Sequence, residues 1–200
     1  MQNRKGSLRA AAVFTCLVVG TAVQLSAAEA TDARQFGVRL INQANVPADV
    51  MSRAQADASR IYAALGVEIV WIVNANDPLP TAPKVTLVVV PKSMSVSTRF
   101  ALGTAIANRT SAGRRAYAFL DKVTWFAGGT GQSLSAVLGH VIAHELGHLL
   151  IGNNSHALTG IMRSKWTQSE ITLLAAGNLT FAHDHATTIR ARVRSLLPNP

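Results

Sequence analysis

The stretch from Leu134 to Ile151 constrains this chain more than any other. It is almost continuously apolar, and its only ionisable residues are His140, His144, Glu145 and His148. Ser133 is a suitable N-cap and Gly152 a suitable terminator, so a helix is predicted from Ser133 to Ile151. A helix this apolar belongs in a core, where ionisable groups are costly unless paired or bound to metal. Residues four apart lie on one helical face. His144 and His148 therefore present two imidazoles to one point, and Glu145 is displaced from them by one residue. That pattern predicts a divalent metal held by His144 and His148, with Glu145 as general base toward a water.

Catalytic zinc takes three protein ligands and keeps one position open. His156 is the expected third ligand: Gly152 lets the chain leave the helix sharply, and Asn153, Asn154 and Ser155 suit a tight turn. Glu170 is a rival, but Thr167 with Glu170 three residues on reads as a capping box, which explains the carboxylate without metal. His183 and His185, either side of Asp184, read as surface residues. His140, one turn before His144, either hydrogen-bonds near the site or points to solvent.

The remainder of the chain predicts alternating strands and helices. Phe36 to Asn42 reads as a strand. A helix opens at Pro47 and ends at Gly66, with Val50, Ala54, Ile61 and Leu65 on one face. Val67 to Val73 is β-branched and reads as a strand parallel to the first. Asn76 to Pro83 holds three prolines and reads as a loop. Val85 to Val90 suits a strand buried on both faces. Arg99 to Asn108 is expected as a strand weakened at Gly103, a sign of a bulge or an edge. Ala116 to Leu120 follows as a strand, and Gly128 to Gly131 as a flexible break. Thr167 to Gly177 and Asp184 to Leu197 are predicted helices.

Composition narrows the class. Hydrophobic residues make up 48% and charged residues 14%, a globular balance. Arg4, Lys5 and Arg9, the apolar run Ala10 to Leu25 and the small residues Ala28-Glu29-Ala30 predict a secretory signal peptide over residues 1–30. Residues 31–200 are then a single catalytic domain, secreted or periplasmic, with no stable membrane association after cleavage. The only cysteine, Cys16, lies in that leader. The net charge is +9, but the basic residues are scattered and not interleaved with aromatics, so no nucleic-acid partner is expected.

His144-Glu145-x-x-His148, followed by Gly152, His156 and Gly160-Ile161-Met162, resembles the metzincin clan of zinc endopeptidases. The resemblance covers most of residues 36–177. It implies an α/β (α+β) fold: a twisted mixed sheet with an edge strand, an active-site helix, a Met-turn and C-terminal helices. It also implies Zn²⁺ as cofactor, Met162 as the methionine beneath the metal, and a peptide or protein substrate on an edge strand that includes Gly103, Thr104 and Ala105. The clan usually places its glycine three residues after the second histidine and its third histidine six after; here the spacings are four and eight. No tyrosine follows Met162 closely. The chain looks closest to small secreted bacterial metzincin-like peptidases with this longer spacing, and a monomer is favoured. The contrasting expectation is a non-catalytic, zinc-stabilised binding module at the exported surface.

Overall fold

The computed structural model describes residues 34–74, 77, 84–93, 101–106, 114–152 and 155–196. The leader expected over 1–30, nearly all of the 76–83 loop and both ends of the 99–108 strand lie outside these residues. Ten elements follow in order: β1 (Arg34–Asn42), α1 (Ala48–Ala63), β2 (Val67–Ile72), β3 (Lys84–Val90), β4 (Gly103–Ile106), β5 (Arg115–Phe119), α2 (Leu120–Thr130), α3 (Leu134–Ile151), α4 (Gln168–Ala175) and α5 (His183–Leu196).

The strands form one mixed α/β sheet in the order β2-β1-β3-β5-β4. β1 pairs with β2 and β3, and β3 with β5, all parallel. β1, α1 and β2 make the crossover unit expected from their sequences. β4 runs antiparallel to β5, with Gly103 opposite Ala118 and Ile106 opposite Arg115. It closes the order of the sheet, so its outer side is an edge among the described residues.

β1 shows how sequence period becomes packing. Phe36, Val38 and Leu40 are buried, whereas Arg39 and Ile41 between and beyond them are exposed. The buried set joins the core formed with α1 and α3. β3 is apolar on both faces because both are covered: Val85, Leu87 and Val89 join that core, while Val88 and Val90 pack with Phe119 in a smaller cluster.

Helix α3 is central. It packs against α1, α2, α4 and α5 and against β3, β4 and β5. It is long and apolar enough to cross a membrane by composition, but most of it is buried inside this domain. Its start is fixed by Ser133, whose hydroxyl accepts from the Ala136 N–H. Gly139 lets α1 come close: a Cβ there would sit 2.7 Å from the Ala54 carbonyl oxygen and 2.7 Å from Asp57 Cβ. The Tyr62 hydroxyl then donates to the Ala143 carbonyl at 3.1 Å, tying the same two helices.

Two expectations change. Gly128 to Gly131 is not a flexible break. Gly128 and Gly129 lie in the last turn of α2, which Val123 and Ala127 anchor by burial, and Gly131 ends it with a left-handed φ of 68°. Tertiary burial outweighs the roughly 1 kcal/mol that each helical glycine costs. The strand at 116–120 is Arg115–Phe119, with Leu120 already opening α2. The capping box at Thr167 does form: its N–H and hydroxyl both donate to Glu170 Oε2, at 2.9 and 2.5 Å.

Candidate metal centre

α3 places His144 and His148 one turn apart on the face predicted for them. Their ring centroids are 4.8 Å apart, and their Nε2 atoms 3.1 Å apart. His156, which follows the end of α3, brings its ring to 4.8 Å from His148 and 5.6 Å from His144. One nitrogen from each of the three lies within 4.8 Å of the others. Two nitrogens bound tetrahedrally to one zinc at about 2.0–2.1 Å stand roughly 3.3 Å apart, close to the His144–His148 separation. The donor set therefore fits zinc, with His156 exposed and within reach.

The turn at Gly160 to Arg163 braces this cluster from below. Gly160 has φ of 77°, and a Cβ there would meet the Thr180 carbonyl oxygen at 2.8 Å. The Ile161 N–H donates to that same Thr180 oxygen at 2.8 Å. Ile161 returns its own carbonyl to the site, where it accepts from His144 Nδ1–H at 2.6 Å and from the Trp166 indole at 3.0 Å. Met162 is fully buried beneath α3, and its Sδ lies where a Cβ on Gly147 would come within 2.7 Å. The Ala157 N–H donates to the Met162 carbonyl at 2.9 Å, so His156 is followed at once by a residue tied to this turn.

Glu145, the next residue of α3 after His144, lies against the edge strand β4. It is buried, and its Oε2 has no hydrogen-bond partner. Burial pushes its carboxyl up to about 8. A Cβ on Gly103 would fall 2.7 Å from Glu145 Oε1 and 2.5 Å from the Tyr117 carbonyl oxygen. Only glycine lets β4 run this close to the carboxylate. Thr104 and Ala105 continue the same strand and are half-buried.

The other ionisable candidates separate cleanly. His140 is buried; its Nδ1 lies 2.8 Å from the Ala136 carbonyl, and its Nε2 has no partner. It does not point to solvent but packs edge-on to Trp166, which also packs edge-on to His144. Glu170 is committed to its cap and lies 3.7 Å from Arg163. His183 is exposed on the first turn of α5, whereas His185 is half-buried with an unpartnered Nδ1, so it is not the plain surface residue expected. Sequence reading missed Ser155, Trp166 and the Ile161 carbonyl as supports of the histidines. Trp166 carried a weak signal, as an aromatic four residues after the turn methionine, and a backbone carbonyl carries none.

No family model and no curated protein matches the chain. Among solved structures it is similar to the crystal structure of a zinc-dependent peptidase from Methanocorpusculum labreanum (strain Z), with a TM-score of 0.52 and 15% identity. The match covers 76% of this chain and 100% of that one. At that identity the likeness establishes the shared fold.

Proposed function

We propose that the chain is a zinc-dependent endopeptidase of the metzincin type. The observation that carries this reading is the convergence of His144, His148 and His156, within 4.8 Å, beside a buried glutamate that faces an edge strand. The fold shared with a zinc-dependent peptidase supports it. So does Met162 in its turn below the histidines.

His144, His148 and His156 would hold the metal through one ring nitrogen each. Zinc bound there supplies a Lewis acid for the scissile carbonyl and makes a water acidic near neutral pH. β4 offers the backbone groups of its outer edge to an extended peptide, which adds as a further strand. The peptide then lies beside Glu145, because Gly103 brings the strand against that carboxyl. Glu145 accepts a proton from water as the water oxygen bonds to the acyl carbon. It returns the proton to the amide nitrogen as the C–N bond breaks, leaving a carboxylic acid and an amine. Residues 1–30, basic and then apolar, support export to a secreted or periplasmic location.

Digestion of a peptide library by wild type and by Glu145→Ala, with zinc measured on both, tests the proposal. Cleavage by wild type alone, with zinc on both proteins, is the expected result. Zinc on both proteins with no cleavage by either would mark a binding module instead.

A further inference from the structure

Ser155 precedes His156 after the end of α3, and its hydroxyl has two polar neighbours. The Gly152 carbonyl oxygen is 2.6 Å away and His148 Nδ1 is 3.0 Å away. A carbonyl only accepts, and a serine hydroxyl has one proton to give. That proton goes to Gly152, so the hydroxyl meets His148 through a lone pair. Nδ1 of His148 must then carry hydrogen. A neutral imidazole has one N–H, which leaves Nε2 bare. His144 follows the same rule, because its Nδ1 faces the Ile161 carbonyl at 2.6 Å.

The consequence lies between the two rings. Their Nε2 atoms are 3.1 Å apart, with facing lone pairs and no hydrogen between them. With the proton of His148 on Nε2 instead, the same contact would be an ordinary hydrogen bond from His148 to His144. Both nitrogens would then be spent on each other. We infer that Ser155 is a positioning residue: it holds His148 as the Nδ1–H tautomer and so keeps the His144–His148 pair open to a divalent cation. The role rests on the zinc-site reading above, but the tautomer is a property of the metal-free protein and is observable without it. Ser155 thus does more than lead the chain to His156, because it sets the proton on His148.

Histidine ¹⁵N spectra of the metal-free full chain, together with zinc affinity by chelator competition, test this. Wild type is expected to show His148 protonated at Nδ1. Ser155→Ala should gain an Nε2-protonated population and lose roughly tenfold in zinc affinity, as removing the partner of a ligating histidine does. Should the alanine variant fold poorly, Ser155→Thr and Ser155→Val, equal in shape, isolate the hydroxyl: threonine should behave as wild type and valine should not. An unchanged tautomer and affinity in Ser155→Ala, or equal behaviour of threonine and valine, would overturn the role and leave the Gly152 carbonyl, which also faces His148, as sufficient. A wild type with the Nδ1–H tautomer but no zinc affinity would instead sink the zinc reading.

Discussion

Gly103 and Glu145 touch across the gap between the edge strand and the central helix. A single added carbon on Gly103 would lie 2.7 Å from Glu145 Oε1 and 2.8 Å from its Cγ. The strand proposed to carry substrate and the carboxylate proposed to move the proton are therefore one packing unit.

Gly103→Ala tests that coupling. The new methyl must displace either β4 or the Glu145 side chain, since the Tyr117 carbonyl closes the other side at 2.5 Å. Displacement of a reacting group by about 1 Å can cost on the order of 10²-fold in rate. We expect kcat on a cleaved peptide to fall by about that factor with zinc content unchanged. Loss of zinc in step with activity would show that the contact serves the fold rather than the carboxylate.

Gly147→Ala reports on the packing of Met162 against α3. Its Cβ would come 2.7 Å from Met162 Sδ and 2.9 Å from Phe181 Cε1. Overpacking of this kind costs about 1–3 kcal/mol. For a domain of this size that lowers the melting midpoint by roughly 3–10 °C, read by circular dichroism on the metal-free protein. An unchanged midpoint would mean that Met162 swings aside freely.

Chelation should lower the melting temperature. At a free zinc concentration one hundred times the dissociation constant, binding contributes about 2.7 kcal/mol. Removal then lowers the midpoint by roughly 5–10 °C. Re-addition of zinc should restore it, and a midpoint indifferent to both would contradict a bound metal.

The metal-free protein should be most stable near neutral pH. Burial holds His144 and His148 down at about 4, and lowers His140 as well. Unfolding returns all three to about 6.5. The unfolded chain thus binds more protons between about pH 4 and 6.5, and stability rises with pH across that window. Glu145 has the opposite sign: raised to about 8 by burial, it keeps a proton that the unfolded chain has lost, so stability falls as pH approaches 8. Three imidazoles outweigh one carboxyl on the acid side, and the carboxyl acts alone above about 6.5. Glu145→Gln should therefore raise the metal-free midpoint at pH 8 and leave the acid limb in place. Thermal melts from pH 4 to 8 on both proteins decide it, and a wild-type profile flat below pH 6.5 would contradict the buried neutral histidines.

The residues legible in advance are those governed by near neighbours. The 3.6-residue period of α3 aligned His144 with His148, Ser133 capped their helix, and Thr167 with Glu170 announced the start of α4. Alternation in β1 and the unbroken apolar run of β3 showed which faces are covered. Each of these is settled within a turn of helix or a few strand residues. The tertiary structure decided how remote segments meet. It set Gly103 against Glu145, drew the Ile161 carbonyl to His144, buried His140 beside Trp166, and carried α2 through two glycines that local propensity opposes. Such contacts depend on how helices and strands pack against one another, and no local pattern encodes where a backbone carbonyl from another turn will arrive.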